Sequence, residues 1–284
     1  MRIGISANML KNGYDRWGDD KYKKLKEHGF SCVDYGMVDT NDGVYSFDDN
    51  QFEEFMKKEK ALAEASGIEV SQVHGPWRYP PQDSTAEDRA ERLEKMKKSI
   101  RGAALLGCKY WVVHPIMPCG LIDLKDGTME KTRELNLQFM NELLKTAKEY
   151  GVIICLENMP MLNFSISTPT QILNFVNEIN DENFKICLDT GHVNVFEDLS
   201  VADAVYELGD KLTVLHVHDN SGVEDEHLAP FSGGIDWVDF SKALKETGFD
   251  GVISLETLPD GNLDDLEYEK ECIKLSGIAK KLAE

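Results

Sequence analysis

Basic residues are scarce in this chain. It carries 31 Lys and Arg against 51 Asp and Glu over 284 residues, a formal net charge of −20. Such a surface repels phosphate backbones and anionic membranes, which are bound by clustered cations that release counterions. A nucleic-acid or membrane partner is therefore disfavoured. Long apolar runs are absent as well, with nothing approaching the ~18 consecutive apolar residues of a membrane span. No signal peptide precedes the strand-like run Met1-Arg2-Ile3-Gly4-Ile5, so a cytoplasmic location is expected. None of the six cysteines forms a C-x-x-C pair, and Cys155 and Cys187 sit inside apolar runs. Reduced, buried thiols are expected there, not a redox motif. Linkers, low-complexity tracts and breaks in composition are missing too. One domain spanning 1–284 is expected, of a length typical of eight-stranded α/β barrels.

What is present is an alternation. Strands are expected at 2–7, 31–36, 69–75, 110–114, 152–157, 184–189, 212–219 and 251–257, from short apolar runs bounded by turn residues. Between them fall eight helical stretches: 19–28, 48–65, one from the N-cap pair Ser84-Thr85 to 106, 127–150, 168–178, 200–208, 236–248 and 263–283. Asp48 and Thr168-Pro169 read as helix starts, Gly67 and Gly151 as helix stops. Eight alternating pairs point to parallel strands closed into a (β/α)8 barrel. In such barrels the active site is built at the C-terminal ends of the strands.

The unusual residues fall at those ends. Three runs share one grammar: I-C-L-E ending at Glu157, I-C-L-D at Asp189 and I-S-L-E at Glu256. His74, His114 and His216 end three more strands. Acids and imidazoles are costly to bury unpaired, so their gathering at one rim implies a polar site above an apolar core. Carboxylates and neutral imidazoles on a rigid rim are a ligand set for a divalent cation, and Mn, Mg, Co and Zn all suit it. Asp189-Thr190-Gly191-His192 adds an imidazole one turn beyond an acid; Asp225-Glu226-His227 adds another pair on the loop after the seventh strand. His218 lies two residues after His216 and on the same face, so one can be a ligand and the other its support. Taken singly, His74 and His114 read equally well as hydrogen-bonded strand ends, and Asp219 as a turn residue.

Together the motifs H-G-P at His74, V-H-P at His114, L-E-N at Glu157, L-D-T-G-H at Asp189 to His192, H-V-H-D at His216 to Asp219, D-E-H at Asp225 to His227 and L-E-T at Glu256 resemble the xylose-isomerase-like barrel superfamily. It includes sugar isomerases, ketose epimerases and zinc-dependent abasic-site endonucleases. The resemblance to the epimerases implies Glu157, Asp189, His216 and Glu256 as ligands of one metal, with Glu157 and Glu256 also moving protons and His192 touching substrate. The resemblance to the endonucleases implies three zincs held by His74, His114, Glu157, Asp189, His192, His216, Asp225, His227 and Glu256. Metal number stays open at this point. The epimerases also carry an Arg beyond the strand-seven histidine, whereas this chain has no Lys or Arg from Leu212 to Ser241.

The expected activity is isomerisation or epimerisation of a small sugar or related polyhydroxy carbonyl compound. A divalent ion chelating a carbonyl and its neighbouring hydroxyl would stabilise the enediolate left by proton removal, with Glu157 and Glu256 as acid and base. Trp77, Tyr79, Phe164 and Phe231, which follow strands, are candidates to cover the sugar's apolar faces. Arg78 is the nearby candidate for an anionic group; otherwise the loops after strands seven and eight lack basic residues, which favours a neutral sugar. The alternative is a multi-zinc phosphodiesterase, which the nine ligand types support and the charge opposes. A homo-oligomer is left open.

Overall fold

The computed structural model describes residues 1–6, 13–41 and 43–284, so the expected strand end at Ala7 lies outside the described residues. The strands β1 (Arg2–Ser6), β2 (Cys32–Gly36), β3 (Glu69–His74), β4 (Tyr110–Val113), β5 (Ile153–Glu157), β6 (Phe184–Asp189), β7 (Leu212–His216) and β8 (Val252–Leu255) are all parallel, in the order 7-6-5-4-3-2-1-8. β7 meets β8 through the Val217–Leu255 bridge, where Val217 N–H donates to Ser254 O (2.8 Å) and Glu256 N–H to Val217 O (3.0 Å). The result is a (β/α)8 TIM barrel.

Its helices start and stop where local chemistry requires. Helices α2 (Asp49–Ser66), α3 (Ala86–Leu105) and α5 (Pro169–Ile179) each begin in a reciprocal capping box, set by Asp48 with Gln51, Thr85 with Asp88, and Thr168 with Gln171. Gly67 ends α2 at φ 66°, a left-handed conformation that costs other residues a steric penalty. Helices α1 (Lys21–His28), α4 (Thr128–Tyr150), α8 (Trp237–Thr247) and α9 (Asp265–Ala283) complete the outer ring. Between β6 and β7 the structure places two helices instead of the one expected: α6 (Thr190–Asn194) and α7 (Val201–Leu208). The extra turn exists because the Asp189 carboxylate accepts from His192 N–H at 2.7 Å, so the strand-ending acid is also a helix cap. β7 is shorter than expected, because beyond Val217 the chain turns His218 toward Asp189 and Asp219 into its own loop.

Side-chain alternation divides the barrel interior into layers. Val112, Cys155, Cys187 and Val214 form a small buried apolar cluster inside it. Each lies two residues before His114, Glu157, Asp189 or His216, so the same faces that carry apolar groups below carry acids and imidazoles above. The larger core packs between the strands and the helical ring.

Candidate active site

Glu157 is the hub of the barrel mouth. One carboxylate oxygen lies 3.0 Å from His216 Nδ1; the other lies 2.9 Å from His114 Nε2 and 3.3 Å from His74 Nε2. Glu256 reaches the same His216 Nδ1 from the far side at 3.3 Å. Thus residues from β3, β4, β5, β7 and β8 converge within one polar floor. Glu157, Asp189, His216 and Glu256 each present a donor atom with all four within 4.8 Å of one another. Beside them a second group forms: Asp225 approaches His192 Nε2 at 3.1 Å and His227 Nε2 at 3.3 Å. His218 Nε2 lies 3.0 Å from Asp189, and its ring stacks on His227 with centroids 4.0 Å apart. All ten acids and imidazoles singled out from the sequence are brought together.

Several supporting residues were not singled out. Asp34, in the middle of β2 and 1% exposed, accepts from Gln72 Nε2 (3.0 Å) and from His216 Nε2–H (2.9 Å). His216 is therefore oriented with Nε2 down into the barrel and Nδ1 up toward the two glutamates. The signal was a lone acid inside the apolar run C-V-D-Y-G, overlooked because it ends no strand. Asn158 brackets two strand ends: its side chain accepts from Asp189 N–H (2.7 Å) and donates to Asp189 O (3.0 Å), while its own carbonyl faces His192 Nδ1 at 2.7 Å. Gly191 leaves room for His218, since a Cβ there would fall 1.9 Å from the imidazole Cε1. Asp219 is structural, holding the loop back to α8 through Gly233 N–H (2.9 Å) and Trp237 Nε1–H (2.8 Å).

A cavity of about 520 Å3 opens over the floor, lined by His74, His114, Glu157, His192, Asp225, His227 and Glu256, and above them by Trp77, Tyr79 and other apolar residues. Trp77 packs edge-on against His114, centroids 4.6 Å apart. Arg78 does not line this cavity. Its guanidinium turns outward to Thr40 Oγ1 (3.2 Å), Gln82 Oε1 (3.1 Å) and Glu91 (2.8 Å). Phe164 is buried in the core, and Phe231 packs near Trp237, so neither faces the mouth.

Proton affinities in the floor diverge. Burial works against ionisation of Glu157, yet His216 and His114 prevail and hold it well below the usual carboxylate range. Glu256 goes the other way: burial pushes it up to about 7, the nearby Glu157 charge adding to the effect against the pull of His216. Burial brings His114 down to about 4, leaving a neutral imidazole. Burial also opposes charge on His192, but Asp189 and Asp225 raise it to about 10, and Asp225 raises His227 to about 9. Among the described residues, no ion pair of Glu157, Asp189 or Glu256 involves Lys or Arg. Buried carboxylates clustered with imidazoles and lacking basic side chains fit a divalent cation as their missing charge partner.

Fold and site together define an α/β barrel whose C-terminal mouth is equipped for polar chemistry. The chain belongs to the xylose isomerase-like TIM barrel family, whose model matches residues 22–275. It is 32% identical over 218 residues to the uncharacterised protein MJ1311 of Methanocaldococcus jannaschii, covering 75% of this chain and 72% of that one. It is 31% identical over 209 residues to a D-psicose 3-epimerase of Ruminiclostridium cellulolyticum, covering 69% and 66%. The crystal structure of a D-tagatose 3-epimerase-like protein superposes with a TM-score of 0.74 at 28% identity, covering 100% of both chains.

Proposed function

We propose that this chain is a divalent-metal-dependent epimerase or isomerase of a small sugar or related polyhydroxy carbonyl compound. The observation that carries the reading is the opposed pair Glu157 and Glu256. Both reach His216 Nδ1, at 3.0 and 3.3 Å, yet one is held ionised and the other is raised to about 7. Two carboxyl groups with separated proton affinities at one site are equipped as base and acid. Similarity to a D-psicose 3-epimerase supports the same class.

Glu157, Asp189, His216 and Glu256 would hold the cation, Mn, Mg, Co or Zn. When bound it would supply Lewis-acid polarisation of a substrate carbonyl and its neighbouring hydroxyl. The remaining work belongs to side chains. Glu157 takes a proton from the carbon beside the carbonyl, and Glu256, reaching the site from the other side of His216, returns one. Delivery to the opposite face of that carbon gives epimerisation. His192, fixed by Asn158 and Asp225, is placed to hydrogen-bond a substrate hydroxyl. The cavity lining contains no Lys or Arg among the described residues, which favours a neutral sugar over a phosphorylated one or a nucleic-acid strand. We place the activity in a single 1–284 domain working in the cytoplasm.

The test is solvent-deuterium incorporation into a panel of ketoses by the manganese-loaded protein, with Glu256→Gln alongside. We expect exchange and epimer interconversion in the parent and at least ~100-fold loss of interconversion in the variant, because one of two proton carriers is gone. Undiminished interconversion by Glu256→Gln would sink the mechanism.

A further inference from the structure

A second recess lies beside the mouth, on the far side of Trp77. The segments after β2 and β3 run side by side there: Asp39 and Trp77 form a parallel bridge, and Trp77 N–H donates to Val38 O at 3.0 Å. Successive side chains of such a pair point to opposite sides. Val38 accordingly lines the mouth cavity, whereas Asp39 and Arg78 line a separate cleft of about 410 Å3, backed by Glu91 and Lys95 of α3. Trp77 and Tyr79 line both recesses. Because Trp77 also packs on His114, one indole ring separates the cleft from the polar floor.

The cleft is held in shape by its own contacts. Lys95 Nζ–H donates to Thr40 O (3.0 Å), which ties the segment after β2 to α3, and Asn41 N–H donates to Asp39 Oδ1 (2.8 Å). Its two cations are already engaged: Arg78 and Lys95 share Glu91 Oε1, at 2.8 and 2.7 Å. An anion entering here would meet the carboxylates of Asp39 and Glu91 and cations whose charge is spent, so the lining does not select a phosphate. It suits groups that donate and accept at once. The side-chain amides of Asn41 and Gln82 each offer a carbonyl oxygen and an NH2, and Asp39 adds an acceptor, a set that matches the neighbouring hydroxyls of a sugar ring. Tyr79, 71% exposed between the two recesses, presents a ring face on which the C–H face of a sugar can pack. The volume falls within the ~300–1,000 Å3 of small-molecule sites.

We propose that this cleft is a subsite for a second sugar ring, and that the substrate is a ketose carrying a glycosidic substituent: the keto-sugar sits in the mouth and its neighbour lies across Tyr79 in the cleft. This rests on the epimerase reading for the mouth, but its test does not depend on turnover. Titration calorimetry on the manganese-loaded full chain compares glucitol with three disaccharide alcohols, maltitol, lactitol and isomaltitol. None can react, since all lack a carbonyl. At least one disaccharide alcohol should bind ~10-fold or more tightly than glucitol. The double substitution Asn41→Ala with Gln82→Ala should bring that ratio toward one. Both side chains are exposed, so the fold is not at stake.

Three disaccharide alcohols that bind no better than glucitol overturn the proposal, as does a ratio unchanged in the double variant. Tighter binding of glucitol 6-phosphate than of every disaccharide alcohol also overturns it, because the cleft would then be taking an anion. Deuterium exchange into ketoses separates the two readings. Exchange into free ketoses without any preference for the disaccharide alcohols keeps the epimerase and discards the subsite. Preference that the double variant abolishes, without exchange into any ketose or glycosyl ketose, keeps the subsite and discards the epimerase.

Discussion

Asp34 offers the sharpest test of how the floor is held together. Its Oδ2 is 2.9 Å from His216 Nε2 and 3.0 Å from Gln72 Nε2, and its other oxygen is buried without a hydrogen-bond partner. His216 is itself fully buried, so its ring takes its orientation from these contacts. Carboxylate partners of this kind fix the tautomer of a ligating imidazole, and removing them typically costs ~10–100-fold in metal affinity. Two substitutions divide the effect. Asp34→Asn keeps one acceptor oxygen for His216 and Gln72 while removing the charge and putting an amide NH2 at the other position, so a loss near ~10-fold, about 1.4 kcal/mol, is expected. Asp34→Leu leaves His216 Nε2–H with no acceptor; Gln72 Nε2 retains Leu215 O at 3.3 Å. That variant should lose nearer ~100-fold, about 2.7 kcal/mol. Competition against a fluorescent chelator measures the affinities, and nitrogen chemical shifts of His216 in the metal-free protein report its tautomer. Unchanged affinity in both variants, with an unchanged tautomer, would refute the positioning role.

Three further outcomes follow from the same geometry. In the metal-free protein His192 and His227 are raised from 6.5 to about 10 and 9, so the folded state keeps protons that the unfolded chain releases. Their stabilisation is complete below pH ~6.5 and is lost as pH rises through 9 to 10, at up to ~1.4 kcal/mol per unit for each group. Asp189 and Asp225 are lowered, so their contribution is present above pH ~4 and is lost in acid. Urea unfolding in chelator should therefore weaken steadily from pH 6.5 to 9.5, and manganese should blunt that loss; a flat profile would contradict it. Gly191→Ala would force the His218 ring out of a Cβ contact of 1.9 Å. Overpacking of ~1–3 kcal/mol should lower Tm by about 2–10 °C, and an unchanged Tm would show that the ring yields freely. Arg78→Ala breaks only contacts outside the cavity, with Thr40, Gln82 and Glu91, so a stability loss under ~1 kcal/mol and an intact preference for neutral sugars are expected. Loss of activity confined to a phosphorylated sugar would restore Arg78 as a substrate contact.

The barrel was legible because each of its signals is local. Capping residues, terminal glycines and short apolar runs all act within a few positions, and Asp48, Thr85 and Thr168 cap the helices that they were expected to start. Two departures were not legible: one is a local cap made by an acid that was read as a strand end, the other a contact across the sheet. The second helix after β6 depends on Asp189 capping its own turn, and the early end of β7 depends on where His218 must go. A residue that serves two elements at once cannot be assigned from either alone. Arg78 shows the same limit from the other side: its position next to Trp77 is visible in sequence, but its outward turn depends on Glu91, thirteen residues on and in α3.

The membership of the floor could be read from strand ends, but the role of each member could not. Glu157 and Glu256 end near-identical strands, I-C-L-E and I-S-L-E, at opposite proton affinities. Glu157 lies among His74, His114 and His216, and His216 and His114 hold it charged. Glu256 meets His216 from the other side and is left with burial and the charge of Glu157, so it keeps its proton toward neutrality. Barrel closure makes the difference: strands five and eight are separated by 99 residues, yet they address one imidazole. That imidazole is held by Asp34 on β2, an acid that ends no strand. Chemical asymmetry between two equal carboxyl groups is thus made by their neighbours: His216 and His114 lower Glu157, while burial and the charge of Glu157 raise Glu256.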